Sequence, residues 1–237
     1  VPNVLINPVV AGRLVTAGKT EVLNLPLNEG SGSTVYDQSG HRNNGTIYGA
    51  SWVDDDRRGG KCLSFDGTDD YVNCGANPAI LPATLTVTAW IKTTKTGSTA
   101  LIAWNPGGSS PPLFGPWSGN KLLLYLSSTY PYNGRYWDNA NVADGKWHHI
   151  AMSLPGSGQT DVSNARAYVD GAELSPGTTY TGVPQTAKTG VVIGGGTNPS
   201  AYWFEGLIAA LCQYNRVLSA DEISKLYQGK FAKMRTG

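Results

Sequence analysis

Between Thr84 and Lys92 the apolar side chains fall on every second position: Leu85, Val87, Ala89 and Ile91 share one face, and Thr86, Thr88, Trp90 and Lys92 the other. This period marks a half-buried β-strand, because successive side chains of an extended chain point to opposite sides. Residues 164–170 repeat it with Ala165, Ala167 and Val169 inward, and Asp170-Gly171 supplies residues that tolerate positive φ in a tight hairpin turn. Further strands are predicted over 22–27, 46–53, 61–65, 71–74, 100–104, 121–126, 147–154, 191–194 and 206–214, divided by turn residues. The last of these opposes Ile208, Ala210 and Cys212 to Leu207, Ala209 and Leu211, which predicts a central strand covered on both faces. A helical period appears only near the end. There Ser219 is placed to cap a helix and Glu222 to return the bond, while Leu218 and Ile223 make the matching hydrophobic staple. Ile223, Leu226 and Tyr227 line one face of this short helix, which is expected to stop before Gly229. The succession of strands predicts two packed antiparallel sheets.

Residues 1–20 follow neither period and carry two Pro and two Gly among apolar residues. They read as an extended N-terminal arm, held by its own domain or by a neighbouring chain, ahead of a domain over 21–237. The arm has no basic segment leading into a continuous apolar one, so no signal peptide is expected. Eighteen Lys and Arg against 17 Asp and Glu leave a net charge of +1. Without a basic stripe to neutralise phosphates, a nucleic-acid partner is not expected. No run of 18 apolar residues occurs, so no membrane insertion is expected.

The segments LNLPLNEGSGSTVYDQSGHRNNGTIYGASW, CLSFDGTDDYVNCG, LTVTAWIKT, GKWHHIAMSL, ARAYVDGAEL and GLIAALCQYNRVLSADEISKLY, in this order, resemble the laminin-G-like, concanavalin A-like lectin/glucanase superfamily over about 22–227. The resemblance implies an all-β jelly-roll sandwich of two antiparallel sheets, whose members mostly bind glycans or proteins. It also raises the question of a structural calcium. The carboxylate that relatives carry on the final long strand is replaced here by the run Ile208-Ala209-Ala210-Leu211, which leaves Asp37 and Asn43 as weak candidate ligands.

Catalytic patterns are missing. The glucanase branch of the superfamily carries Glu-x-Asp-x-x-Glu along one strand, and no such run occurs, so no enzyme activity is expected. Asp54-Asp55-Asp56 followed by Arg57-Arg58 reads as a solvated loop with local charge pairing. Asp66, Asp69 and Asp70 surround Gly67 and read as turn carboxylates bonded to their own backbone. His148 and His149 are adjacent, point to opposite faces of a strand, and so do not hold one metal together. If Gly67-Thr68-Asp69 closes a hairpin, Cys62 stands opposite Cys74, within disulfide reach in an oxidising compartment, while two close thiols are the alternative. Cys212 is left as a small buried residue.

Aromatic residues concentrate between Trp104 and Trp137, among Gly, Pro, Ser and Asn. Trp117, Tyr130, Tyr132, Tyr136 and Trp137, joined by Tyr202 and Trp203, are the candidate ligand-binding residues, because flat faces beside amide and hydroxyl groups suit both sugars and protein partners. Trp104, Tyr125 and Trp137 fit the core equally well. The loop 106–112 is long enough to carry recognition. Two function classes follow. One is a structural or adhesive component of a larger assembly, such as a virion decoration or tail protein, docked to protein partners or to copies of itself through residues 1–20. The other is a secreted carbohydrate-binding module of a larger enzyme or adhesin. Both place the chain on a virion or at the cell exterior.

Overall fold

The computed structural model describes residues 20–57, 59–76, 84–104, 112–127, 132–156, 162–182, 190–195 and 202–231. The strands are β1 (Glu21–Leu25), β2 (Thr34–Val35), β3 (Gly45–Tyr48), β4 (Ser51–Asp54), β5 (Lys61–Asp66), β6 (Tyr71–Asn73), β7 (Leu85–Lys92), β8 (Ile102–Trp104) and β9 (Leu113–Trp117). They continue with β10 (Lys121–Ser127), β11 (Asn133–Trp137), β12 (Trp147–Leu154), β13 (Arg166–Val169), β14 (Ala172–Glu173), β15 (Pro176–Thr181), β16 (Val191–Ile193) and β17 (Glu205–Tyr214), before one helix, α1 (Ala220–Phe231). Two antiparallel sheets result. Sheet A runs β14-β13-β12-β7-β17-β5-β4 with β1 also paired to β17, and sheet B runs β15-β11-β10-β9-β8-β16-β6-β3-β2. Residues 1–19 of the expected arm lie outside the described residues; Thr20 joins sheet A, its carbonyl accepting from the Asn215 N–H at 2.8 Å.

The predicted faces of β7 are as expected. Leu85, Val87, Ala89 and Ile91 join Leu25, Ile150, Met152 and Ile208 of sheet A against Val72, Trp104, Phe114, Leu122, Leu124 and Trp137 of sheet B. Burying this much apolar area, at about 25 cal/mol per Å², is the main favourable term for the fold. Within the core the Trp104 indole N–H donates to Gln213 Oε1 at 3.0 Å, so both polar groups are satisfied.

The second face of β7 is not half-exposed, since Thr86, Thr88 and Trp90 are all buried. Helix α1 lies over it, with Leu218 and Ile223 against Ala151, Tyr168 and Tyr214. The Tyr227 ring stacks 5.8 Å from Trp90. The acidic loop before β5 contributes too, which corrects the solvated reading of 54–58. Asp55 and Arg57 form a 2.9 Å ion pair with side chains 1% and 2% exposed. The Arg57 guanidinium sits between Trp90 at 4.4 Å and Trp147 at 4.8 Å. A planar cation between indole faces keeps its charge partnered where water is excluded. Asp54 and Asp56 are the members that stay exposed, on Lys61 and Lys92.

Three local details depart from the simple strand pattern. Residues 46–53 make two strands, β3 in sheet B and β4 in sheet A. The chain crosses between them at Gly49, where φ is +75° and a Cβ would sit 1.9 Å from Asp70 Oδ1, so only glycine fits. In β17 a bulge between Ala209 and Cys212 puts Ala210 at φ +50°. The extra residue resets the alternation, so Ile208 and Leu211 enter the core while Ala209 and Ala210 face Trp90. Finally, β5 and β6 are not a hairpin: β5 pairs with β4 and β17 in sheet A, and β6 with β3 and β16 in sheet B. Residues 67–70 carry the chain across the sandwich, so Cys62 and Cys74 are separate buried thiols and not a disulfide. Burial pushes both thiols up to about 12.

The helix start forms as its sequence predicts. Glu222 N–H donates to Ser219 Oγ at 3.2 Å and Ser219 N–H to Glu222 Oε2 at 2.9 Å. Arg216 adds a bidentate pair to the same carboxylate, at 2.9 and 2.7 Å. The helix then runs through Gly229 to Phe231, because Gly229 keeps a helical φ instead of forming a left-handed cap. The Arg216 bond is the main reason the Glu222 carboxyl is lowered to about 2. Its stabilising effect is therefore complete above the ordinary Glu value and lost as pH falls towards 2. Glu222→Ala is expected to lower stability by about 1–2 kcal/mol in urea unfolding at pH 7, and by less at pH 3.

His148 shows the opposite sign. Its Nδ1 lies 2.8 Å from Asp170 Oδ2 and its Nε2 3.1 Å from Asp144 Oδ1. The hydrogen bond to Asp170, outweighing desolvation, raises its pKa. The stabilisation is thus fully present below the ordinary His value of about 6.5 and fades as pH rises through the folded one. Urea midpoints of the native chain should fall across that interval, and His148→Asn should flatten the fall.

Candidate functional site

Strand alternation decides what sheet B shows to its outer side. In β10, Leu122, Leu124 and Leu126 enter the core, so Lys121, Leu123 and Tyr125 point outward. In β9 and β11, Phe114 and Trp137 enter the core, and Trp117 and Tyr136 point outward. Ala100, Ala103, Leu113 and Leu123 make an apolar floor among them. Across the β10–β11 pair Tyr125 stands opposite Gly134, where a Cβ would come 2.4 Å from the Tyr125 ring. The glycine lets that ring lie down on the neighbouring strand.

The rings touch one another in sequence. Tyr180 is 6.0 Å from Tyr136, Tyr136 6.2 Å from Tyr125, Tyr125 5.8 Å from Trp117, and Trp117 5.0 Å from Tyr202. Tyr132 flanks the row, 6.4 Å from Tyr125 and 6.2 Å from Tyr180. Farther across the sheet Tyr48 stacks on Tyr71 at 4.6 Å, and Tyr71 lies 6.1 Å from Trp203. Tyr48, Tyr132 and Tyr180 remain 40–45% exposed, and no described element lies across this face as α1 lies across sheet A.

Polar groups are few and mostly neutral. The hydroxyls of Tyr125 and Tyr136 are 3.1 Å apart. Burial first, then this bond, raises the Tyr125 phenol above its ordinary value, so it stays a proton donor. The Lys121 ammonium lies 5.5 Å from the centre of the Tyr136 ring and pairs with Asp138 at 2.9 Å, which cancels its charge locally. Such a surface offers flat apolar faces with hydroxyl partners, the chemistry that grips the C–H face of a sugar ring.

Of the residues predicted for a site, Trp117, Tyr132, Tyr136 and Tyr202 converge here, and Trp203 lies beside Tyr71. Trp137 does not belong to it, because its ring is fully buried between the sheets. Tyr130 and the loop 106–112, apart from Pro112, lie outside the described residues. Tyr48, Tyr71 and Tyr180 escaped the sequence reading. A signal was present for Tyr180, whose segment Thr178-Thr179-Tyr180-Thr181 is rich in strand formers behind Pro176-Gly177.

The candidate calcium ligands serve another purpose. Asp37 Oδ1 accepts from the N–H groups of Asn24 and Ser39, both at 2.9 Å, and Oδ2 from Ser39 Oγ at 2.7 Å and Asn43 N–H at 2.9 Å. Asn43 Nδ2 donates to Val22 O at 2.8 Å. Four donors aimed at one carboxylate would repel a cation, so Asp37 and Asn43 do not fit calcium; they tie the β2–β3 loop to β1. Asp66, Asp69 and Asp70 have ligand atoms within 4.8 Å of one another. Asp70 Oδ2 accepts from Asp66 N–H and Asp66 Oδ1 from Thr68 N–H, both at 2.8 Å, as turn carboxylates do.

The model of the Concanavalin A-like lectin/glucanases superfamily matches residues 66–224, and the chain belongs to that superfamily. No curated protein sequence matches it. Domain 4 of AbnA, a GH43 extracellular arabinanase from Geobacillus stearothermophilus, solved in complex with arabinotriose, is similar with TM-score 0.66 and 20% identity over 88% of this chain and 98% of that one. The botulinum neurotoxin serotype D binding domain is similar at TM-score 0.62 and 14% identity, over 89% of this chain and 52% of that one. A Trypanosoma rangeli sialidase gives TM-score 0.60 and 17% identity over 86% of this chain, which spans only 32% of the sialidase. At these identities the likeness is one of fold. No helix among the described residues is long and apolar enough to cross a membrane.

The division between core and face is measurable. Trp137→Ala should cost about 3–5 kcal/mol in chemical denaturation, as removal of a buried indole does, whereas Tyr132→Ala should stay within about 0.5 kcal/mol.

Proposed function

We propose that the chain is a carbohydrate-binding module whose ligand lies on the outer face of sheet B and is bound without being cleaved. The observation that carries this reading is the row Tyr180–Tyr136–Tyr125–Trp117–Tyr202, a run of touching rings across which no described element lies, with Tyr180 exposed, Tyr136, Trp117 and Tyr202 half-buried and Tyr125 packed among them. A soluble domain seldom leaves such a contiguous aromatic surface without a partner for it. Membership in a lectin-bearing superfamily, and the arabinotriose bound by the AbnA domain of similar fold, support the same reading. Hydrolysis would need two carboxyl groups flanking the bond, about 5–9.5 Å apart. Asp138, which sits beside the row, is instead held by Lys121. The module would act at the cell exterior or on a particle surface, as part of a larger protein or assembly.

A docking role for residues 1–20 is compatible with this. Thr20 is bonded to Asn215 and Arg216 at sheet A, on the side of the sandwich away from the rings. The arm would fasten one side while the other meets the ligand.

Glycan-array screening followed by affinity electrophoresis tests the binding role. The native chain is expected to retain at least one neutral glycan, Trp117→Ala and Tyr132→Ala each to weaken it at least tenfold, and no reducing ends to be released. Absence of any glycan ligand, or binding indifferent to both substitutions, would falsify the reading; turnover of the bound glycan would overturn its non-catalytic part.

A further inference from the structure

The aromatic face consists of two clusters, one around Tyr125 and one around Tyr71, joined by the adjacent residues Tyr202 and Trp203. In an extended chain two consecutive side chains diverge to opposite sides. Here both rings serve the same face, with Tyr202 5.0 Å from Trp117 and Trp203 6.1 Å from Tyr71. The cause is local: Tyr202 has φ +76°, a left-handed conformation that bulky side chains avoid. The backbone at Tyr202 and just after it is pinned, since Ala100 N–H donates to Tyr202 O at 2.8 Å and Lys95 Nζ to Trp203 O at 3.3 Å. Strain of this kind persists where the surrounding structure over-determines it, and it gathers at ligand sites.

We propose, building on the carbohydrate-binding reading, that the face is one continuous track for a linear, uncharged polysaccharide, and that strained Tyr202 is the joint making two aromatic clusters into one site. The length follows from the sheet. Tyr180 on β15 and Tyr48 on β3 are seven strand steps apart. At about 4.8 Å per step the track is about 34 Å long, about the length of six or seven extended sugar units. The preference for a neutral chain follows from composition. The rings bring hydroxyl and indole N–H groups, and one cation beside them, Lys121, is already neutralised by Asp138. Lys95, beside Trp203, is likewise paired with Glu205 at 3.7 Å, so among the described residues next to the rings a polyanion would find no unpaired positive partner to offset its desolvation.

Calorimetric titration with linear xylo-, cello- and α-1,5-arabino-oligosaccharides of three and of six units tests this, with hexameric oligogalacturonate as the charged control. For whichever neutral series binds, the hexamer is expected to bind at least tenfold more tightly than the trimer. Tyr48→Ala, at an exposed position, should remove most of that gain. Tyr202→Gly, which accepts the same φ, should bring hexamer affinity down to the trimer level in a chain that still unfolds cooperatively. Equal affinity for trimer and hexamer, a Tyr48→Ala variant indistinguishable from the native chain, or full hexamer affinity in Tyr202→Gly overturns the track but leaves carbohydrate binding standing. Oligogalacturonate binding as tight as the neutral hexamer's overturns the preference for an uncharged chain. Failure of every sugar at both lengths overturns the track, and the reading beneath it then stands or falls by the glycan array.

Discussion

A β-strand that gives one side chain to a core must give the next to the opposite side, and this constraint organises the whole molecule. Both sheets contribute an inner layer to the same apolar core, so both also generate an outer layer that has to be dealt with. Sheet A covers its own: α1, the Asp55–Arg57 pair and the Trp90 and Trp147 indoles leave little of its centre wet. Sheet B fills its outer layer with rings instead. The result is an asymmetry between a closed back and an aromatic front.

The fold was largely legible because most of its signals are local. The period-2 run of β7, the near-continuous apolar run of β17 and the Ser219–Glu222 box each need only a few neighbours to be read, and each formed as its residues dictate. The errors concern partner choice, which is not local. Cys62 and Cys74 were placed opposite each other on the assumption that the shortest connection is a hairpin. Residues 67–70 instead cross between sheets, because β17 and β16 compete for β5 and β6 as partners. The bulge at Ala210 was equally invisible, since a run of small apolar residues reads the same in either register.

The site was legible in its residue types but not in its architecture. Leu113–Trp117 and Asn133–Trp137 contain Gly and Pro, weak strand formers, and so read as recognition loops when they are strands of sheet B. Gly134 is there for the ring lying on it and not for a turn. Once these strands exist, parity sorts the aromatics: Trp137 goes inward, and Tyr136, one residue before it, goes out. Tyr48, Tyr71 and Tyr180 come from distant parts of the chain, and only the strand order of sheet B brings them to a common surface.

The crossing at residues 67–70 has a bearing on what joins the two layers. With Cys62 and Cys74 in different layers, each protonated and shielded, no covalent cross-link contributes to holding the sandwich closed. The two layers are held to each other by packing and hydrogen bonds, and a reductant has no bond between Cys62 and Cys74 to cut.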